Sequence, residues 1–136
     1  MEDTLVSIRV AKLAKDKGLS IATTYYYDFS GSVESLNRIN KTNWNKYLDS
    51  IYSAPTQSLL AKWLREKYHL YVTVLPYKIV EFGDEIELCY NYIITNLDEN
   101  LNICLNAEDL GTSEKNFNSP EEALDEGLYQ ALLLIK

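Results

Sequence analysis

The chain is poor in the side chains that most often do chemistry. It has one histidine, His69, in 136 residues. A lone histidine between a predicted helix and a predicted strand points to a structural role rather than a catalytic one. The two cysteines, Cys89 and Cys104, both fall in predicted strands. Without a secretory context they read as buried thiols, not as a disulfide or a metal site. No apolar run approaches the ~18 residues of a membrane span. Met1 is followed by acidic residues and no apolar signal segment, so a cytoplasmic location is expected. No cofactor motif and no catalytic constellation stands out. The acidic residues Glu81, Asp84, Glu85 and Glu87 have no second cluster to converge with, and read as a solvated sheet edge.

Positive charge is also scarce overall, but not evenly so. The net charge is −7. Residues 1–68 carry ten Lys/Arg against seven Asp/Glu, giving +3, and residues 69–136 carry three against thirteen, giving −10. Non-specific nucleic-acid binding depends on phosphate neutralisation by lysine and arginine, and an acidic whole disfavours it. The first half still has the composition of a local basic surface. At 46% hydrophobic and 24% charged, the composition is that of a globular chain able to build its own core, and a single domain over residues 1–136 is expected.

What is present is organised around Tyr52–Leu75. Pro55 suits the first turn of a helix, with Ser53 and Thr56 both candidate N-caps. Leu59, Leu60, Trp63 and Leu64 share a helical face, and Lys62, Arg65, Glu66 and Lys67 lie mostly outside it. The period then switches. Leu70, Val72 and Val74 alternate with Tyr71, Thr73 and Leu75 in a strand apolar on both faces, hence expected to be central. Pro76 is expected to end it, with Tyr77–Phe82 a separate short strand.

Upstream, residues 3–17 read as a helix capped by Asp3 or Thr4 and ended by Gly18. Val6, Val10, Leu13 and Ala14 form its apolar stripe. Residues 21–29 alternate as a strand, within which Tyr25, Tyr26 and Tyr27 invite comparison with a base-stacking platform. Tyrosine also suits half-buried sheet surfaces, the simpler reading. Residues 30–51 read as turns and irregular chain, with short helical pieces at Val33–Ile39 or Trp44–Ile51, and they are the first place to look for a recognition surface.

Downstream, Ile86–Asn96 and Leu101–Asn106 alternate clearly, and the link Asp98-Glu99-Asn100 predicts an antiparallel hairpin. Ser119 as N-cap, Pro120 at the first position and Glu122 two residues on announce a final helix. Leu124, Leu128, Ala131 and Ile135, with Leu132 beside them, are its expected buried stripe, and Gly127 is expected to allow close approach of a neighbour. The fold class is α+β, a mainly antiparallel sheet with about three helices packed on one face.

Two stretches carry a resemblance, SAPTQSLLAKWLREKYHLYVTV at 53–74 and NSPEEALDEGLYQALLLIK at 118–136, with VAKLAKDKGLSIATTYYY near the start. The chain resembles small proteins of phages, prophages and other mobile elements of Bacteroides-type bacteria. In these an APTQ…WLRE segment, an extended stretch and a terminal EEAL..GL..AL..I helix recur in that order. The resemblance implies kinship but no transferable activity, catalytic residue or cofactor. The function expected is that of a non-enzymatic accessory protein acting through protein–protein contact. The alternative is a nucleic-acid-associated protein using Tyr25, Tyr26, Tyr27, Lys62, Arg65 and Lys67. A homodimer formed through a sheet edge is compatible with either.

Overall fold

The computed structural model describes residues 4–35, 41–46, 49–80, 86–98, 101–106 and 117–135, and within the strands the side chains of 77–80, 86, 87, 98, 101–104 and 106 lie outside that description. The fold is α+β, with three α-helices and antiparallel strands among the described residues. The strands divide between two three-stranded sheets. The chain forms two compact units, Met1–Leu60 with Leu132–Lys136, and Ala61–Ala131.

In the first unit the opening segment is extended where a helix was expected. The Val6 N–H donates to the Pro55 carbonyl and the Gln57 N–H to that of Thr4, and Leu5 bridges Thr56. This pairing uses residues 4–6, so helix α1 starts late, at Ile8–Asp16. Ser7, not Asp3 or Thr4, is its N-cap, accepting from the Val10 N–H at 3.4 Å. Its end is as expected. Gly18 has φ +90°, the Leu19 N–H reaches the Ala14 carbonyl at 2.9 Å and the Gly18 N–H that of Lys15 at 3.0 Å. These two bonds make a Schellman motif, which needs a left-handed residue at this point. Val10, Ala11 and Ala14 are buried on α1, while Leu13 is half-buried.

Strands β1 (Tyr25–Tyr27), β2 (Val33–Glu34) and β3 (Tyr52–Ala54) form a sheet in the order β2-β1-β3. Tyr26 lies opposite both Glu34 and Ser53. The region expected to be irregular therefore holds a strand and, at Trp44–Lys46, a short 3₁₀ turn. Of the helical pieces expected there, Val33 and Glu34 are extended, and 36–40 lie outside the described residues. Asn45 ties the region together. Its side chain accepts from the Ser53 N–H at 2.8 Å and donates to the Leu19 carbonyl at 2.9 Å, while its own N–H donates to Ser53 Oγ at 3.2 Å.

Ser53 is consequently a buried strand residue, and Thr56 is the cap of α2 (Gln57–Tyr68), accepting from the Leu59 N–H at 3.2 Å. Pro55 stands before that cap rather than in the first turn, fully buried. Helix α2 belongs to the first unit as far as Leu60 and to the second from Ala61.

In the second unit one residue converts helix to strand. His69 has φ 57°, its N–H donates to the Arg65 carbonyl at 3.2 Å, and its carbonyl accepts from the Leu97 N–H at 3.0 Å. Histidine is among the non-glycine residues that tolerate this left-handed region. Strand β4 then runs unbroken over Leu70–Val80, paired antiparallel with β5 (Ile86–Asp98), which pairs in turn with β6 (Leu101–Asn106). The 86–106 hairpin is as expected. Two expectations about β4 are corrected. It stands at an edge of the described sheet, whose order is β4-β5-β6, and Pro76 does not end it.

The register explains why proline is tolerated. Pro76 lies opposite Tyr90, but Tyr90 exchanges both its backbone hydrogen bonds with Phe117, each 2.9 Å. An antiparallel residue sends N–H and C=O to the same side, so Tyr90 faces away from β4. The Pro76 nitrogen therefore points outward, where no ladder bond is lost.

Helix α3 (Pro120–Leu133) is capped as expected, with Ser119 Oγ accepting from the Glu122 N–H at 3.1 Å. Its buried face includes Ala123, Gly127, Leu128 and Ala131. Ala123 and Gly127 take the place expected for Leu124, which is half-buried. A Cβ built on Gly127 would stand 2.6 Å from Val72 Cγ1 and 3.0 Å from Tyr92 Cγ. The small residues thus bring the helix backbone down onto the sheet, as expected for Gly127. Tyr92 and Ile94 are buried there, with the Phe117 ring 6.1 Å from that of Tyr92. Cys89 is buried and in no disulfide among the described residues, and the Cys104 side chain lies outside the described residues.

Candidate interaction surfaces

The three consecutive tyrosines do not form one platform. Strand alternation puts Tyr25 and Tyr27 on the same side of β1, but their burial differs. Tyr27 is buried and donates from its hydroxyl to the Val6 carbonyl. Tyr26 is half-buried with its ring 4.3 Å from that of Trp44, and Trp44 is held by a 3.0 Å bond from Nε1 to the Thr23 carbonyl. Of the three, Tyr25 alone is exposed, at 36%. Two of the three candidate stacking residues are thus spent on packing the first unit.

Lys62, Arg65 and Lys67 are all exposed on the second-unit part of α2. Lys62 lies 3.9 Å from Glu66 one turn on, an exposed pair of small energetic weight. Lys67 Nζ sits over the rings of Trp63 at 5.4 Å and Tyr68 at 5.6 Å. Those rings meet edge to face at 5.2 Å. Trp63 is therefore half-buried beneath a lysine rather than fully in the core. The tyrosine and lysine groups belong to different units.

Two features were not singled out from the sequence. The first is the free edge of β4. Because Pro76 and Tyr90 are not hydrogen-bonded to each other, alternation makes Val74 and Val72 non-bonded positions too. Their N–H and C=O groups point away from β5 and meet no partner among the described residues. Beside this row Tyr71 is 38% exposed and Leu75 43% exposed. On β5, Leu97 is 51% exposed. Pro76 within an otherwise β-prone run was the sequence signal for an edge.

The second is a cleft of about 230 Å³ in the first unit. Ala54, Pro55 and Leu59 are among its apolar lining residues, and Thr24, Tyr25, Lys41 and Thr56 among its polar ones. No carboxylate is among its lining residues. Lys41 was unremarkable in the sequence, because only the antiparallel bridge between Thr42 and Thr23 brings it beside β1.

Among the described residues, no three His, Cys, Asp or Glu side chains are grouped so as to hold a metal ion, and no helix is long and apolar enough to cross a membrane. Glu81, Asp84 and Glu85 lie outside the described residues, as does the side chain of Glu87. Comparison with protein-family models, curated proteins and solved structures finds no match.

Proposed function

We propose that the chain is a non-enzymatic accessory protein of a phage or mobile element that acts by binding another protein, and that the partner adds an extended segment to the edge of β4. The observation that supports this reading is the outward row of backbone groups at Val72 and Val74, flanked by exposed Tyr71 and Leu75. Strand addition draws affinity from such main-chain groups and specificity from alternate side chains. A nucleic-acid partner is less favoured, because Tyr26 and Tyr27 are engaged in packing and Lys62 is paired with Glu66. The test is affinity capture of the tagged full chain from host lysate, with and without nuclease, beside a Leu75→Lys variant. A lysine on an edge strand opposes strand addition. The expected result is a protein partner that survives nuclease and is lost with Leu75→Lys. Recovery that collapses on nuclease, or that Leu75→Lys leaves unchanged, would overturn the proposal.

A further inference from the structure

We infer that the first-unit cleft is a binding site for a small carboxylate with an apolar body. The size sets the first limit. A cleft of about 230 Å³ lies below the ~300–1,000 Å³ of sites that take drug-sized ligands. This suits one ring or a short branched chain and is too small for a nucleotide. The walls set the second. Ala54 and Pro55 are buried, one at the end of β3 and the other between β3 and the Thr56 cap. An apolar body placed against them loses hydration at no polar cost.

The polar groups fix the charge. Lys41 has no anionic partner among the described residues, and no carboxylate lines the cleft. The Tyr25 phenol and the Thr24 hydroxyl likewise have no side-chain hydrogen bond among the described residues. Of the other donors nearby, three are already used. Thr23 Oγ1 donates to the Tyr25 carbonyl at 2.7 Å, the Gln57 N–H to Thr4, and the Leu59 N–H to Thr56 Oγ1. What remains is the Lys41 ammonium with the hydroxyls of Thr24, Tyr25 and Thr56, the last still able to donate while it accepts from Leu59, on residues that share the lining with apolar side chains, a set that matches a monoanion with two oxygens. A phosphate, carrying more charge and no apolar body, matches the cation but not the walls.

The experiment is an amide-resolved NMR titration of the full chain with sodium benzoate, with benzamide as the neutral isostere and inorganic phosphate as the anion without a ring. For a ligand of this size a Kd on the order of 1 mM is expected. Benzoate should produce saturable shifts centred on Thr24, Tyr25 and Ala54. Lys41→Gln, an exposed substitution that should leave the fold intact, is expected to weaken benzoate about tenfold, the loss of one charge-assisted hydrogen bond. Lys46→Gln, exposed and outside the cleft lining, should leave binding unchanged. Shifts spread over the surface, a Lys41→Gln affinity equal to wild type, or phosphate or benzamide binding as tightly as benzoate would each overturn the assignment.

Discussion

Replacing Gly127 by alanine should lower stability, although helix propensity alone favours the substitution by about 1 kcal/mol. The new methyl would enter space held by Val72 Cγ1 at 2.6 Å and by Tyr92 Cγ and Cβ at 3.0 and 3.1 Å. Neither neighbour yields easily. Valine is stiff about its one side-chain torsion, and the two Tyr92 atoms lie next to the backbone of the central strand. Overpacking of this kind costs about 1–3 kcal/mol. With contacts this short the upper part of that range applies, so the net loss is about 1–2 kcal/mol after the propensity gain. Urea unfolding followed by circular dichroism and tryptophan fluorescence would read it as a lower midpoint.

A second substitution separates the causes. Val72→Ala removes the methyl at 2.6 Å and by itself opens a void, but in the double variant the two changes should compensate. A favourable coupling of about 1 kcal/mol or more is expected, as for residues in direct contact. If Gly127→Ala instead raised the midpoint, or if the two changes were additive, the close approach of α3 to the sheet would not be what requires glycine.

Two further perturbations test local features. His69→Gly should be neutral or stabilising by up to about 1 kcal/mol, since it relieves a left-handed non-glycine residue at some cost in unfolded-state entropy. His69→Val should lose about 1–3 kcal/mol, and equal urea midpoints for the two variants would refute the backbone argument. Asp28 accepts hydrogen bonds from the Ser30 hydroxyl, the Ser32 N–H and the Ser30 N–H, which hold its carboxyl below the ordinary value of 3.8. The contribution of a lowered carboxyl pKa is fully present above the ordinary value and is lost as pH falls through the folded one. Ser30→Ala should move the Asp28 titration, followed by NMR, back towards 3.8, and an unmoved titration would count against the Ser30 bond as its main cause.

The parts legible in the sequence were those with a long period or a complete local signature. The 86–106 hairpin shows in its alternation, α3 in Ser119-Pro120 and its acidic first turn, and the end of α1 in Gly18. Of the small β2-β1-β3 sheet, β1 shows in the alternation of residues 21–29, although only Tyr25–Tyr27 forms the strand, while β2 and β3 are too short to show a period. The sheet's pairing depends on contacts such as Asn45 with Ser53 and Leu19. Ser53 was read as one of two possible caps because a short hydroxyl serves a helix start and a buried strand equally well. The late start of helix α1 is hidden in the sequence because nothing local reveals that Thr4 and Val6 pair with Gln57 and Pro55. Among the candidate site residues, Tyr25 could be named in advance, while Lys41 gains its place only through tertiary pairing.

Pro76 sets a limit on whatever joins the second-unit sheet. Its ring occupies the outward position two residues after Val74, so an incoming strand that follows Val72 and Val74 meets no donor at the next step. One of its carbonyls would be left without a partner, and the ring would crowd its backbone. Pairing along β4 is thus confined to a short stretch near its start. An edge of eleven residues, a template for open-ended association between copies of the chain, carries its own stop. The residue that faces Tyr90 with no ladder bond to lose thus makes the outer edge selective for a short guest.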